Sequence, residues 1–520
     1  MTTLPPASNR RWTGGRNRVV SHRFLFILCV GGGIGTLVAL ALYVTKTAYV
    51  GLLPLGLALA LATVFVKNQR LYWFAIFLLS LQFKISKNLN DGLAVRNELK
   101  IDYDFWNFTF EITATDLVLL VLLAYWANDC LFHGKKIRFP SVTWLAVGYL
   151  GISLLSLVGA ESPYLGFVEM SRQIKFFITY LFAVNCLDSK SAVRVLAIVG
   201  VIILVTQAAM TVARFETGYM TPFSFGESYQ DLSVIEQYLA VDRTDEGSAI
   251  RAFGTLGSPG STLHICLMMI PFALFLSVPN AMFRMRFAFA ALTAFALLGL
   301  VLTFTRVYYI TAAVQIVLAF LIMIRDRMLR REEVVVVALL GLAALAAASP
   351  KLYEQFTVRE DSMSVRFLQY KAAEKMILDN PFLGVGLNNS TGQMRNYVNV
   401  TYNPYDSDTQ FFTAGIHNVY LSTASEIGVF GALLFVAFFA RVTLFAWRQS
   451  CRSTDPEIRL VASALVVAFC GVAVNDLMDP FVEYQALMLL WMYAGISLNL
   501  PRMAQGQETL DPGPGRQPSF

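Results

Sequence analysis

The chain has 520 residues, of which 56% are apolar and only 15% are charged. Soluble proteins are typically about 45–50% apolar and about 25% charged, and the mean hydropathy here is +0.56. Because a membrane-spanning helix takes about 20 residues, the apolar positions suffice for roughly 14 spans. This composition excludes a soluble enzyme, a disordered chain and a secreted disulfide scaffold. It predicts a polytopic membrane protein.

The six cysteines and the net charge of +6 do not change this class. The cysteines lie in apolar runs or in segments predicted to be cytoplasmic, and none forms a CxxC pair. Neither a disulfide framework nor a zinc site is therefore predicted. The basic residues collect in segments that flank apolar runs, so we expect membrane lipid and no nucleic acid as a partner.

Apolar runs, cut at charges and turn residues, predict an all-α fold with about 14 transmembrane helices, within a range of roughly 12–14. Five arginines precede the first run and no small-residue cleavage site follows them. This pattern indicates an uncleaved anchor. The approximate spans are 24–44, 48–66, 71–83, 115–132, 142–160, 165–187, 191–213, 261–278, 287–305, 307–324, 334–349, 417–440, 460–474 and 482–499.

Lys and Arg predict the orientation, because they are retained on the cytoplasmic side of short loops. With the basic segment 1–23 inside, most of the 41 Lys and Arg fall on the inner side, and both termini are cytoplasmic. We predict one transmembrane domain over 24–499 and a disordered Pro/Gly-rich tail over 500–520. The large extracytoplasmic loops are 84–114, 214–260 and 350–416.

The third large loop is predicted to contain a helix. Asp361 or Ser362 can cap it, it runs to about Asp379, and Pro381 lies just beyond its end. Its apolar stripe would lie on the membrane surface or pack over a cavity. The stripe consists of Val365, Leu368, Ala372 and Met376. Gly384-Val385-Gly386 then supplies a tight turn.

His417 is the one histidine of four that the predicted topology places outside. A lone histidine at a membrane boundary is more often a structural hydrogen bonder than a catalyst, but its neighbours strengthen the functional interpretation. Asn418 and Tyr420 either orient the ring or serve in helix packing. Glu426 is too far along the helix to reach His417, and we expect it to pair with a buried cation.

The segment from His417 to Gly431 resembles a motif of the bacterial O-antigen polymerase and O-antigen ligase family (Wzy/WaaL type). HNxYL followed by ExGxxG is matched by His417, Asn418, Tyr420, Leu421, Glu426, Gly428 and Gly431. Three further segments are similar to family patterns: Arg251–Gly260, Thr305-Arg306, and Val365-Arg366 through Asp379-Asn380-Pro381 to Gly386. Gln369 stands where tryptophan is frequent, and Pro259-Gly260 where Pro-Asn is common. The resemblance covers about 250–440 and is only topological over the first 200 residues.

This resemblance implies a GT-C-like architecture and a glycan donor linked through diphosphate to undecaprenol. The residues fit such a donor independently, because arginine binds phosphate oxygens with a forked, permanently charged donor set. Arg251, Arg306 and Arg366 fall on the same predicted side as His417. An arginine at a low-dielectric boundary is a functional candidate, although a snorkelling side chain is the alternative.

His417 would remove the proton from an acceptor sugar hydroxyl as that oxygen attacks the anomeric carbon. Alternatively, it donates a hydrogen bond to a phosphate oxygen. Direct attack would invert the anomeric configuration.

Arg172 and Lys175 either line a substrate cavity or indicate that residues 165–174 lie at the membrane interface.

Asp476 and Asp479 are expected to be solvated turn residues. The alternative is that they support the active site.

A metal-dependent transferase would instead use Asp-x-Asp pairs to hold a divalent cation against the diphosphate. Asp102 with Asp104 and Asp406 with Asp408 form such pairs. Because three arginines are available, we favour a reaction without metal or other cofactor.

The sequence therefore predicts a multi-pass transferase of the bacterial inner membrane with a periplasmic active site. We favour polymerisation of surface polysaccharide or exopolysaccharide repeat units, with a chain-length regulator or export protein as candidate partners. An O-antigen ligase or a protein O-oligosaccharyltransferase would use the same donor. A lipid-linked sugar flippase and a structural assembly subunit are the alternatives outside the transferases.

Overall fold

The computed structural model describes a part of the chain that includes most of the predicted spans. The described residues are 58–59, 61–83, 85–89, 109–217, 240–241, 249–250, 252–256, 258–278, 286–329, 332–333, 361–398, 415–479 and 483–506. The chain divides into two compact units, residues 1–72 and 73–520. A 3-10 turn at Thr63–Phe65 belongs to the first unit. The second unit contains every predicted site residue.

Fourteen α-helices and two short antiparallel strand pairs make up the described part of the chain. The helices are α1 (Gln69–Ser80), α2 (Ala114–Phe132), α3 (Thr143–Leu155), α4 (Pro163–Cys186), α5 (Lys190–Thr217), α6 (Pro259–Leu276), α7 (Arg286–Val301), α8 (Arg306–Arg325), α9 (Asp361–Asp379), α10 (Ser390–Tyr397), α11 (Val419–Arg452), α12 (Pro456–Asn475), α13 (Tyr484–Ser497) and α14 (Leu500–Ala504). The strands are β1 (Ser86–Asn88), which pairs with β2 (Glu111–Thr113), and β3 (Ala240–Val241), which pairs with β4 (Ala249–Ile250).

Eleven of the predicted spans coincide with helices, so the all-α prediction is confirmed for the described residues. Among the described helices, six are long and apolar enough to cross a membrane by length and composition: α2, α5, α6, α8, α11 and α12. In α4, three charged residues interrupt the apolar sequence. The predicted spans 24–44 and 334–349, and most of 48–66, lie outside the described residues. The total of 14 spans stays a prediction.

Helix α6 lies at the centre of the bundle. Its residues from Thr262 to Ala273 are buried on every face, and it packs against α5, α7, α8 and α12. A helix that is apolar all round belongs in an interior. A second packing centre is aromatic: Trp491 of α13 stacks on Phe438 of α11 at 5.0 Å and contacts Tyr180 of α4 edge-on.

The segments assigned to the cytoplasmic side pair with one another at one end of the bundle. Arg194 binds Glu457 through two hydrogen bonds of 2.6 and 2.8 Å, and Lys190 pairs with Asp455. Arg138 donates to Asn499 Oδ1 at 2.6 Å. These contacts agree with the predicted alternation of helix directions, because each joins segments placed on the same side.

The loop helix predicted from Asp361 to about Asp379 is confirmed as α9. Ala372 and Met376 from its apolar stripe are fully buried against Val385, Met394 and Ile416, and Leu368 is partly buried there. The stripe therefore packs within the third loop, which also contains the unpredicted helix α10. Helix α9 lies against α11 as well.

A clasp joins this loop to α11; we use the term for residues 381–386 together with 425–429. The helix is interrupted at Gly428, which has φ 77°, and its freed backbone groups find partners in the loop. Val385 N donates to Ser425 O at 2.8 Å, and Gly386 N donates to Glu426 O at 3.0 Å. In return, Val429 N donates to Pro381 O at 2.9 Å. Buried backbone groups are thus satisfied between the segments rather than within the helix.

Glu426 adds a side-chain contact to the clasp. Its Oε1 accepts a hydrogen bond from Ser390 Oγ at 2.6 Å, and its Oε2 accepts one from Asn388 N at 3.0 Å. The prediction of a buried cation as its partner is therefore corrected. The carboxylate instead holds the start of α10.

The tail predicted to be disordered from residue 500 begins with helix α14, in which Leu500 and Met503 are buried. That prediction is corrected for residues 500–504. These two apolar side chains anchor the segment, and the polar residues beyond 506 lie outside the described part of the chain.

We expect Gly384→Ala and Gly428→Ala to destabilise the fold. A Cβ at Gly384 would lie 2.3 Å from the Glu426 carbonyl carbon, and one at Gly428 would lie 2.2 Å from the Phe382 oxygen. Both glycines have positive φ, a backbone conformation that costs an alanine about 1–3 kcal/mol. The apparent melting temperature of the detergent-solubilised protein measures the effect. Gly151→Ala is the matched control, because a Cβ there meets open space; an equal melting temperature for all three variants would contradict the clasp.

Candidate active site

His417 lies between the end of the third loop and the start of α11, and two consecutive residues of α9 hold it. Its ring Nδ1 is 3.0 Å from Gln369 Oε1, and its backbone N is 3.3 Å from the same oxygen. Tyr370 donates its hydroxyl to His417 O at 2.9 Å. The histidine is thus fixed by both backbone and side-chain contacts.

The His417 ring is neutral at neutral pH. Its burial lowers its pKa to about 4, and the positive charge of Arg366 acts in the same direction. The Gly415 backbone opposes them in part. Arg366, on α9, therefore lies within electrostatic reach of the ring, and the structure brings together two of the predicted site residues.

Asn418 and Tyr420 attach the start of α11 to α12. Asn418 Oδ1 accepts from Leu421 N at 2.9 Å, which caps the helix, and its Nδ2 donates to Leu477 O at 3.0 Å. Tyr420 donates to Ala473 O at 3.0 Å. These contacts support the packing interpretation, whereas the contact to the imidazole comes from Gln369, which sequence reasoning had not assigned a role.

Asp476, in the turn after α12, is buried rather than solvated, so that expectation is corrected for this residue. Asp476 is only 4% exposed, and its burial together with the charge of Asp479 raises its pKa well above the ordinary value. Asp479 Oδ2 accepts from Tyr308 at 2.8 Å, and His264 Nε2 lies 2.8 Å from the same hydroxyl. A buried polar chain therefore runs from α6 through α8 to this turn.

Tyr370 connects this turn electrostatically to the His417 side. Burial raises the pKa of Tyr370, with opposing contributions from Arg366, which lowers it, and Asp479, which raises it. Arg366, Asp479 and the His417 backbone are thus all near one tyrosine. A basic and an acidic group consequently lie at the same end of the bundle.

Arg306 begins α8, two residues before Tyr308. It follows Phe304, whose φ of 49° places this residue in the left-handed region, and Thr305 in an extended conformation. Arg306 is half-buried, and its Nη2 is shielded from solvent. Arg306 lies at the same end of the bundle as the turn after α12, since Tyr308 of the same helical turn contacts Asp479. Its position on the outer side stays a prediction.

Arg251 lies outside the described residues. Its neighbours Ala252 and Phe253 are fully buried. A second arginine, Arg214 at the end of α5, donates to Gly254 O at 2.7 Å and lies 4.0 Å from the Phe253 ring. The motif beyond Arg251 is therefore packed against α5, and Arg214 is the buried arginine that sequence reasoning missed.

Arg172 and Lys175 belong to a separate charged cluster formed by α2, α4 and β2. Lys175 Nζ lies 2.8 Å from Asp116 Oδ2 and donates to Glu111 O at 2.7 Å. Arg172 lies 3.6 Å from Glu111 Oε2 and 3.7 Å from Glu169 Oε2. Leu165 and Val168 are buried, whereas Phe167 and Ile174 are exposed, so one face of 165–174 packs within the bundle. Its interfacial position stays a prediction.

Within the part of the chain that the structure describes, no three His, Cys, Asp or Glu side chains are grouped to hold a metal ion. Asp102, Asp104, Asp406 and Asp408 lie outside that part. The metal-independent reaction therefore stays a prediction.

Residues 290–436 match the family model described as O-antigen ligase, Wzy_C. The family comprises membrane-bound ligases and polymerases that transfer lipid-linked glycans, and the predicted resemblance is confirmed over these residues. The matched segment runs from α7 into α11 and contains Arg306, Arg366, His417 and the clasp. No curated protein is significantly similar to the chain.

We expect Lys175→Met to lower the free energy of unfolding by about 2 kcal/mol or more, because it leaves the Asp116 carboxylate half-compensated in a buried cluster. Chemical denaturation of the detergent-solubilised protein measures the loss. Adding Asp116→Asn should recover part of it. Lys136→Met, at an exposed position, is the charge-matched control; an equal effect at both lysines would contradict a structural role for the pair.

Proposed function

We propose that this protein is a membrane glycosyltransferase that moves a glycan from an undecaprenyl-diphosphate donor to an acceptor sugar hydroxyl. We further propose that it polymerises surface polysaccharide or exopolysaccharide repeat units at the periplasmic face of the inner membrane. Such a reaction requires a base, a cationic diphosphate site and access from the lipid. The proposal concerns this chain, whereas the family match covers residues 290–436 alone.

The observation that carries the proposal is a neutral His417 with the Arg366 guanidinium within electrostatic reach of its ring. A neutral imidazole accepts a proton, and a guanidinium binds phosphate oxygens through two parallel hydrogen bonds. The two side chains come from different elements, α9 and the start of α11, and the clasp fixes these elements together. A base and a cationic group are thereby held within electrostatic reach of each other.

Arg306 and Arg251 complete the proposed diphosphate site. The leaving diphosphate gains negative charge as its bond to the anomeric carbon breaks, and fixed cations stabilise that charge. In the same step, the acceptor oxygen forms its bond to the anomeric carbon and releases its proton to His417. Attack from the face opposite the leaving group inverts the anomeric configuration.

The remaining predicted residues act indirectly in this proposal. Asn418, Tyr420 and Glu426 hold the start of α11 against α12 and α10, and the Arg172–Lys175 cluster supports the bundle. No cofactor is required. The second candidate function is ligation of the glycan to a lipid or protein acceptor, which the description of the matched family favours.

The central experiment incubates the purified full-length protein in nanodiscs with an undecaprenyl-diphosphate-linked repeat unit. We expect a ladder of lipid-linked products from this donor alone, and an unchanged rate with EDTA. Single additions that require lipid A core or a protein would contradict polymerisation and support the second candidate. Transbilayer movement of the donor without glycosidic bond formation would support a flippase, and strong inhibition by EDTA would support the Asp-x-Asp alternative.

In that assay we expect His417→Ala to lower the transfer rate by about 10²–10⁴-fold, because the base is lost. Arg366→Ala and Arg306→Ala should each lower it by about 10²–10³-fold through lost charge stabilisation. Lys371→Ala is the matched control, since Lys371 is an exposed cation on the same helix as Arg366. A correctly inserted His417→Ala protein with more than half of the original rate would refute the proposed role.

The pH dependence of the reaction should follow the lowered pKa of His417. A base works in its unprotonated form, so the rate should stay level between about pH 6 and 8. It should fall only as the pH drops through about 4, the pKa that burial and Arg366 give this ring. The pH profile of kcat/KM measures this; a decline centred at the ordinary histidine pKa of about 6.5 would contradict it.

A further inference from the structure

Gln369 of α9 is completely buried, and its side-chain oxygen faces two nitrogens of His417. The distances are 3.0 Å to the ring Nδ1 and 3.3 Å to the backbone N. These two contacts come from one side-chain atom across a separation of 48 residues in sequence. Together with the Gly415 backbone, which also hydrogen-bonds the ring, they bear on which tautomer the imidazole adopts.

The backbone contact identifies the glutamine atom. A backbone N–H only donates, so the Gln369 atom that faces it must be the carbonyl oxygen and not the amide nitrogen. The same oxygen cannot donate to Nδ1, so Nδ1 must carry the hydrogen. In a neutral imidazole the other nitrogen, Nε2, then holds an available lone pair.

We propose that Gln369 is a positioning residue that fixes His417 as the Nδ1–H tautomer and so presents a basic Nε2 to the acceptor hydroxyl. This inference rests on the proposed function and chooses between its two roles for His417. An unprotonated Nε2 accepts a proton from a hydroxyl, whereas it has no hydrogen to donate to a phosphate oxygen.

The proton transfer leaves Gln369 in place. The acceptor oxygen bonds to the anomeric carbon, its hydrogen moves to Nε2, and the electron pair of the breaking C–O bond departs with the diphosphate. The imidazolium that forms keeps its Nδ1–H bond to the Gln369 oxygen. Because an amide is neutral, it orients the ring with less stabilisation of the imidazolium than a carboxylate would supply.

The ionisable groups named around this site come from two elements. Arg366 and Tyr370 lie on α9, where Tyr370 binds the His417 carbonyl oxygen. Asp476 and Asp479 lie in the turn after α12, whose Asp476 O accepts from Val419 N at 2.8 Å. A carboxylate at position 369 would add a negative charge in direct contact with the ring and should raise its pKa.

The test is a ¹⁵N spectrum of the full-length protein labelled at its four histidines, with His417 assigned by its loss in His417→Asn. We expect Nδ1 of the wild-type ring to be protonated. Gln369→Met should shift the ring toward the Nε2–H tautomer and lower kcat by about 10²-fold, with little change in KM for the lipid-linked donor. Gln369→Glu should keep the Nδ1–H tautomer and move the acidic limb of the pH profile upward by about one unit.

Lys371→Met, two residues along α9, should change neither the spectrum nor the rate. A wild-type ring with Nε2–H would overturn the inference directly, even if Gln369→Met failed to fold. If Gln369→Met shifted the tautomer but left the rate unchanged, the claim that this tautomer is needed for the reaction would be overturned. If His417→Ala remained active while Gln369→Met shifted the tautomer, the proposed function would fail and the assignment of the tautomer would stand.

Discussion

The arrangement of the candidate site depends on the break in α11 at Gly428. A helix that loses its own hydrogen bonds at one turn exposes backbone groups that must be satisfied elsewhere. The segment from Pro381 to Gly386 supplies those partners, and in doing so it docks the third loop onto the bundle. This docking adds to the direct contacts that Gln369 and Tyr370 make with His417.

Much of the fold is readable from the sequence because its determinants are local. Apolar runs of about 20 residues predict spans, and eleven of them coincide with helices. The extent of α9 follows from a capping residue at one end and a proline beyond the other. His417 could also be identified from a local pattern, because it is the single histidine that the distribution of Lys and Arg places outside.

The remaining features depend on contacts between distant segments, which no local pattern reveals. Gln369 contacts His417 across 48 positions, and Tyr308 contacts Asp479 across 171. Asp476 reads as an exposed turn residue, yet the start of α11 covers it. Glu426 looks like a partner for a cation and instead accepts hydrogen bonds from Ser390 and Asn388.

The length of α11 fixes the depth at which the reaction would occur. The 24 residues from Val429 to Arg452 extend about 36 Å, enough to traverse a hydrocarbon layer of about 30 Å. Phe430 and Leu433 on this stretch are exposed, as lipid contact requires, and Trp447 suits the opposite interface. His417 then stands roughly 15 Å above the break. That height exceeds the headgroup layer, which adds about 5–8 Å to each side of the hydrocarbon core, so the glycan end of a prenyl-linked substrate would have to extend out of the bilayer to reach His417.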